Sequence, residues 1–228
     1  MSNKDQLKQE AAAAAAELVQ SGMAVGLGTG STAAHLVNVL GKKFQNGDLT
    51  EIVCIPTSSA TAEQAKGWGL PLTTFKDHPT LDIVIDGADE IDPQLNVIKG
   101  LGAALLWEKV VANTTNQFVI ISDDSKIVTN LGELAPVPVE VIPFALDTVA
   151  PFLESLGANP ILREKNGEVV RTDENNVILD AHFGVMDDPH QLAQAMSLRP
   201  GIVEHGLFLN MATQAFIASE GGIKHLTL

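Results

Sequence analysis

The stretch MAVGLGTGST, Met23 to Thr32, decides the fold. Met23 to Gly28 is a short apolar run, and a Gly/Ser/Thr turn leads from it into a helical segment from about Thr32 to Leu40. A buried strand that enters a helix through glycines is the opening unit of a parallel sheet. The rhythm repeats downstream. IVCIP (52–56), LPLTTF (Leu70 to Phe75), LDIVID (Leu81 to Asp86) and FVIIS (Phe118 to Ser122) read as further strands. Helices are expected from about Ala60 to Trp68 and from about Ala103 to Asn113. Upstream, the Ala-rich segment from about Asp5 to Gln20 reads as a helix, with Gly22 as its stop. Continuous apolar strands alternating with helices predict a mostly parallel α/β sheet covered on both faces, with ligands outside the carboxyl ends of its strands.

The pattern changes after about Gly132. PVPVEVIP (136–143) is a strand, and a helix from about Phe144 to Leu156 is expected to kink or break at Pro151. PILRE and EVVRT flank Asn166-Gly167, a hairpin signal. NVILDAHF is another strand, His190 to Met196 a helix and IVEHGLF a last strand. This β-α-β-β-β-α-β order predicts a small α+β domain of ferredoxin-like type. The expected division is residues 1–132 with 207–228 in the α/β domain and 133–206 in the small one.

Composition removes several functional classes. The 228 residues carry 14 basic and 28 acidic side chains, a net charge of −14. Phosphate-backbone contact needs a basic face and base stacking needs aromatics; with 4% aromatics and no Tyr, nucleic-acid binding is not expected. Cys54 is the single cysteine, so there is no intramolecular disulfide and no cysteine-built metal site. It lies in an apolar run and reads as a buried, inert thiol. No His spacing suits a metal, and none is expected. The Ala run is bracketed by Glu10 and Glu17, so it reads neither as a signal peptide nor as a membrane span. The expected address is the cytoplasm.

Four segments carry chemistry. GLGTGST (Gly26 to Thr32) lacks the Lys of a Walker A loop and has Ser31 where a dinucleotide fingerprint has its third Gly. Two readings remain: a phosphate cradle, or a turn in which Ser31 or Thr32 simply caps the helix. DGADEID holds four acids from Asp86 to Asp92. Asp86 ends a strand, where a carboxylate faces the ligand crevice. A solvated loop suits Glu90 and Asp92 better than Asp86 and Asp89, and a Mg²⁺ site is the rival reading. In KGLGAALLWEKVVA (Lys99 to Ala112), Glu108 has the apolar neighbours Ala104, Leu105, Val111 and Ala112 one turn away. Either it is desolvated and strengthened as a base, or it snorkels to water or to Lys109. Lys99 with the N–H groups near Gly100 and Gly102 fits a developing oxyanion, or a surface lysine before a turn. In SDDSK (Ser122 to Lys126), Lys126 either meets a phosphate or stays exposed.

GLGTGSTA, SSATAEQA, DGADEID, KGLGAALLWEK and SDDSK, in this order, resemble ribose-5-phosphate isomerase of the A type. The resemblance extends through PVPVEVIP and GIVEHGLFLN, and so along essentially the whole chain. It implies a Rossmann-like α/β domain with a smaller α+β domain. It also implies interconversion of ribose 5-phosphate and ribulose 5-phosphate in the pentose phosphate pathway, with neither metal nor organic cofactor. Glu108 would be the proton acceptor. Thr29, Gly30, Ser31, Thr32, Asp86, Gly87, Ala88, Asp89, Lys99, Gly100, Leu101, Gly102 and Lys126 would bind substrate. Leu101 stands where the family usually has Gly, and Trp107 where it usually has Arg. The family is usually dimeric or tetrameric, so a homodimer or homotetramer is implied, with a small-molecule sugar phosphate as partner.

The mechanism expected from these residues is an aldose–ketose isomerisation through an enediolate. Asp86 opens the sugar ring, Glu108 moves the proton, Lys99 and nearby N–H groups hold the oxyanion, and Asp89 holds a hydroxyl. Residues 29–32 and Lys126 hold the phosphate, with Lys8 assisting. A non-catalytic sugar-phosphate sensor is the rival from another class; it would need a basic helix-turn-helix head, for which the chain has neither room nor charge. An amino-sugar-phosphate deaminase or acyl-CoA transferase of similar fold is the rival enzyme.

Overall fold

The computed structural model describes residues 3–228 and divides into two compact units. The first comprises Met1–Ala88, Trp107–Ser125 and Met211–Leu228; the second comprises Asp89–Leu106 and Lys126–Asn210. The second unit thus takes in 89–106, 126–132 and 207–210, stretches the sequence reading placed in the α/β domain. The reason is strand pairing. The short strands Glu90–Ile91 and Val97–Ile98 pair with each other and with Leu207–Phe208, in a three-stranded sheet of their own.

The first unit is built on a six-stranded sheet. From one edge, its order is Gly222–Thr227, Gln214–Ser219, Phe118–Asp123, Ile83–Gly87, Ala24–Leu27 and Val53–Pro56. All neighbours are parallel except the Gly222–Thr227 edge strand, which returns antiparallel from a hairpin. Strand order reverses at Ala24–Leu27, which lies between the next strand in sequence and the one after it. In an open α/β sheet, the crevice at such a reversal is where ligands bind. The loops leaving this point are the Gly-rich loop after Leu27 and the acidic loop after Asp86.

The helices cover both faces. Asn3–Ala16 and Ser31–Gln45 bury Leu7, Ala11, Ala12, Ala15, Leu36, Val37 and Leu40 in one core with Val25, Leu27, Ile83, Ile85, Val119 and Ile121. Gly26 points to the opposite face, where a β-carbon would lie 2.6 Å from Val84 Cγ2 and 2.8 Å from Val111 Cγ1, on the helix Leu105–Ala112. Alternating inside positions along strands that are buried on both faces account for the continuous apolar runs. Cys54 lies in the first core, fully buried, and burial pushes its thiol up to about 12.

Three local expectations are corrected. LPLTTF is not a sheet strand: it makes a single bridge, Leu72 to Cys54. Pro71 has no N–H to donate, and a turn from Thr74 to His78 leads the chain away. The first helix ends at Ala16, because Glu17, Leu18 and Val19 bond three residues back and tighten the last turn. The helix Leu146–Ser155 continues through Pro151. Proline removes one bond, while Val149 and Leu153 on either side stay anchored in the core.

The second unit holds a four-stranded antiparallel sheet ordered Ile202–His205, Val137–Val141, Val177–His182, Asn159–Leu162. In chain order this is 4-1-3-2, with the helices Leu146–Ser155 and Pro189–Ser197 completing a β-α-β-β-α-β unit. The short hairpin Glu164–Lys165 to Glu168–Val169 turns at Asn166 and Gly167, both at positive φ (55° and 81°), as a two-residue primed turn requires.

Glu140, in the central strand Val137–Val141, has no exposed surface. One oxygen accepts from Thr172 Oγ1 and Asn176 Nδ2, each at 2.8 Å; the other finds no hydrogen-bond partner among the described residues. Burial pushes its carboxyl above the ordinary value, Asn176 and Thr172 partly offset this, and the charges of Glu174 and Glu204 push it further up. The folded form therefore holds the proton more tightly than the unfolded form. That contribution to stability is full below the ordinary value of 4.5 and is lost as pH rises through the raised value. Glu140→Gln should accordingly melt higher than wild type at pH 7.5, by roughly 2–4 °C per kcal/mol recovered. Melts repeated at falling pH should show the gain vanish near pH 4.5; a gain independent of pH would contradict the assignment. Cys54 should stay unmodified by a thiol reagent at pH 8 until the protein is unfolded, as a thiol titration with and without denaturant would read.

Candidate active site

In the first unit the Gly-rich loop and the strand Ile83–Gly87 meet through a glycine. A β-carbon at Gly28 would lie 2.1 Å from Asp86 Oδ1 and 2.6 Å from Asp86 Cα. Only the absence of a side chain lets the loop backbone approach the carboxylate. Asp86 is fully buried at the end of its strand, and its Oδ1 accepts the N–H of Gly87 at 2.7 Å and of Thr29 at 3.0 Å. N–H donation to a carboxylate is a strong, charge-assisted bond and makes the burial tolerable.

Thr29 is thereby drawn inward. Its N–H serves Asp86, and its hydroxyl lies 2.7 Å from Thr57 Oγ1, 2.8 Å from Ser58 Oγ and 3.1 Å from Thr61 Oγ1. Thr61 and Thr57 bond in turn to the carbonyls of Gly28 and Leu27, both at 3.0 Å. Thr57, Ser58 and Thr61 are residues whose part the sequence reading did not assign. Their signal was present in SSATAEQA: Ser58 caps the helix Ser59–Gly67, which places its neighbours' hydroxyls beside the first loop.

The helix Ser31–Gln45 starts at Gly30, whose φ of 107° only glycine adopts readily. Among the described residues no side chain caps it, and no acid stands in its first turn. The simple capped turn is therefore not what forms. Ser31 is exposed, and its Oγ accepts from Lys8 Nζ at 3.0 Å, so an ammonium joins the helix N-terminus. First-turn N–H groups without a side-chain cap, the positive end of the helix dipole and a lysine suit an anion.

Glu108 lies in the helix Leu105–Ala112 and is 4% exposed, so it does not reach out to water. Gly87 and Ala88, half-buried, continue from Asp86 to the boundary of the unit.

In the second unit, Lys99 is 1% exposed, with its ammonium 5.6 Å from the centroid of the Phe208 ring. It is not a surface lysine. Its backbone bonds Gly206 (N to O, 2.9 Å), where a β-carbon would lie 2.2 Å from the Lys99 carbonyl oxygen. Gly100 has φ 106°, and Ala103 bonds back to its carbonyl at 3.0 Å. Leu101 N–H donates to Asp89 Oδ2 at 2.9 Å, so this N–H is engaged by the protein itself. The Leu101 side chain is 43% exposed and its φ is not among the positive ones, so leucine in place of glycine causes no backbone strain. Gly102 is exposed beside it. Lys126 closes the short 3-10 turn Asp124–Lys126 and is half-buried.

Glu90 and Asp92 correct the expectation of a solvated acidic loop. Glu90 is fully buried and accepts the N–H groups of Gly132 (2.6 Å), Leu134 and Ala135 (2.6 Å). Asp92 accepts from Gln94 N, Asn96 N and Asn96 Nδ2. Both are structural ties. Among the described residues, no group of three or more His, Cys, Asp and Glu is placed to hold a metal ion, and no helix is long and apolar enough to cross a membrane.

A glycine-rich loop and a strand-end carboxylate at the switch point place the protein in the doubly wound α/β class, with its ligand crevice at that end of the sheet. Residues 53–222 match the family described as ribose 5-phosphate isomerase A (phosphoriboisomerase A). The chain is 48% identical over 227 residues to ribose-5-phosphate isomerase A of Desulfatibacillum aliphaticivorans, covering 99% of each. It is 49% identical over 228 residues to that of Synechococcus sp. (strain JA-3-3Ab), again covering 99% of each. Among solved structures, a D-ribose-5-phosphate isomerase in complex with phospho-erythronic acid superposes with a TM-score of 0.96 at 36% identity, over 100% of both chains. The ribose 5-phosphate isomerase from Plasmodium falciparum gives 0.95 at 38% identity, over 98% of this chain and 99% of that one. The chain belongs to the ribose-5-phosphate isomerase A family, whose enzymes interconvert ribose 5-phosphate and ribulose 5-phosphate.

The Gly28–Asp86 contact yields a direct test. Gly28→Ala must push the loop or the strand end aside, costing about 1–3 kcal/mol by overpacking. We expect a lower melting temperature and a loss of isomerase turnover of about a hundredfold or more. A steady-state assay and a melt on the same preparation check both; turnover near wild type would show that the close approach is not needed.

Proposed function

We propose that this chain interconverts ribose 5-phosphate and ribulose 5-phosphate through an enediolate, using its own side chains and backbone. The observation that supports the reading most is the burial of two carboxylates, Asp86 and Glu108, in a chain that belongs to this family. Ring opening falls to Asp86, which moves a hydroxyl proton of the furanose. Glu108 then removes the C2 proton. The C2–H electron pair forms the C1–C2 double bond, and the C1 carbonyl oxygen becomes an oxyanion. Lys99 and the N–H groups near Gly100 and Gly102 stabilise that charge. Glu108 returns its proton to C1, O2 yields its proton to O1, and the ketose results.

Asp89 holds a substrate hydroxyl with its carboxylate, already fixed on one side by Leu101 N–H. The phosphate is held by the N–H groups of Gly30, Ser31 and Thr32, with Lys8 and Lys126 supplying charge. Thr29 acts from behind, orienting Asp86. Gly87, Ala88 and Leu101 contact substrate through their backbone. The reaction needs no metal, the enzyme works in the cytoplasm, and it assembles as the homodimer or homotetramer usual in the family.

Purified protein is expected to form ketose from ribose 5-phosphate in EDTA. Glu108→Gln should lower kcat by at least about a thousandfold, since it removes the proton acceptor, while ribose 5-phosphate binding by calorimetry stays within a few fold. Turnover near wild type in that variant would remove Glu108 from the mechanism. Activity that disappears in EDTA and returns with a divalent metal would replace the scheme with a metal-assisted one.

A further inference from the structure

The loop Lys99–Gly102 is held from behind by an arginine that no part of the scheme has used. Arg163, on the segment between the strands Asn159–Leu162 and Glu164–Lys165, is 12% exposed at its side chain. Its Nε donates to Asp180 Oδ2 at 2.9 Å and its Nη2 to Asp180 Oδ1, a two-pronged pair that fixes the guanidinium plane. The remaining nitrogen, Nη1, points elsewhere. It donates to the carbonyl of Gly100 at 2.8 Å and to that of Leu101 at 3.1 Å.

A trans peptide carries its C=O and N–H in opposite directions, and the described residues contain no cis peptide. Holding the Gly100 carbonyl therefore aims the Leu101 N–H the other way, and that N–H is the one that meets Asp89 Oδ2 at 2.9 Å. Holding the Leu101 carbonyl likewise turns the Gly102 N–H away from Arg163. One guanidinium thus sets two successive peptide planes. The first orients the carboxylate assigned to a substrate hydroxyl. The second orients an N–H assigned to the oxyanion. Gly100 at φ 106° takes a conformation open to glycine, whereas Ala103 at φ 63° holds a left-handed conformation unfavourable for alanine, which the ties around this turn help to maintain.

We propose that Arg163 is a positioning residue for the isomerisation: through the carbonyls of Gly100 and Leu101 it presets Asp89 and the Gly102 N–H for the enediolate. This inference rests on the isomerase reading above. Lysine cannot replace it. An ammonium is a point charge without the planar fork, so it cannot bond Asp180 with two nitrogens and both carbonyls with a third.

The test uses Arg163→Lys, which keeps the charge beside Asp180 and so protects folding, with Arg163→Met as a second variant. Four quantities are read on each: melting temperature, kcat and KM for ribose 5-phosphate, and inhibition by phospho-erythronate and by inorganic phosphate. Phospho-erythronate carries a planar carboxylate that mimics the enediolate; inorganic phosphate probes only the anion-binding residues. Arg163→Lys should melt within a few degrees of wild type and lose about tenfold to a hundredfold in kcat. Its inhibition by phospho-erythronate should weaken by a similar factor, while inhibition by phosphate stays within about twofold of wild type, the size of change a misplaced hydroxyl or N–H donor leaves untouched. Wild-type kcat and inhibition in Arg163→Lys overturn the inference. So does a parallel loss of both inhibitors with a large drop in melting temperature, which marks general loosening. A wild-type chain without isomerase activity overturns the functional reading, and this inference with it.

Discussion

A carboxylate with no exposed surface must be surrounded by donors, and Asp86 obtains two of them from backbone. This requirement organises the ligand end of the α/β unit. Donation by Thr29 N–H demands that the loop run close over the strand end, and that approach demands glycine at 28. With Thr29 turned inward, its hydroxyl needs partners, which the second strand–helix loop supplies through Thr57, Ser58 and Thr61. The chain then swings outward at Gly30 and begins a helix whose first turn has no side-chain cap. A buried acid thus leaves an uncovered helix N-terminus one step away. In the proposed scheme, acid–base chemistry and anion binding come from one backbone path.

The second unit repeats the device with different partners. DGADEID looks like a charged surface loop, yet each of its acids accepts at least one backbone N–H. Asp89 takes Leu101, Glu90 takes three N–H groups around Gly132 to Ala135, and Asp92 takes Gln94 and Asn96. Carboxylates that accept several N–H groups tie together loops that have no strand partner. Acidity here is partly structural mortar and not only a solvated coat.

The parallel sheet was legible because its strands are buried on both faces and read as unbroken apolar runs, and because glycine punctuates them. The hairpin at Asn166-Gly167 was legible because only such residues adopt its turn. LPLTTF misled because apolar content resembles a strand whether or not an edge is available, and Pro71 weakens the pairing that formed. The outer limits of the second unit were hidden, since two-residue strands such as Val97–Ile98 have no periodicity to detect. At the site, Glu108 and Asp86 stood out as acids in apolar surroundings. Arg163, Thr57 and Thr61 did not, because each acts on a residue distant in sequence through one or two hydrogen bonds, and nothing local announces that.

A chain of net charge −14 faces an electrostatic difficulty if its substrate is a phosphate ester. The range of the field resolves it. At physiological ionic strength, charges farther than roughly 8 Å are largely screened, so the total matters less than the nearest few groups. Within that distance of Ser31 lies Lys8, 3.0 Å from its hydroxyl, and the first turn of the helix contains no acid. The aligned peptides add partial positive charge at the same end, and it decays within about one turn. Asp86, the nearest acid along the backbone path, is drawn inward and neutralised in part by N–H donors. A small region of positive potential can therefore coexist with a strongly acidic exterior, even with Asp5 one helical turn from Lys8, where it is paired with His35 at 3.0 Å.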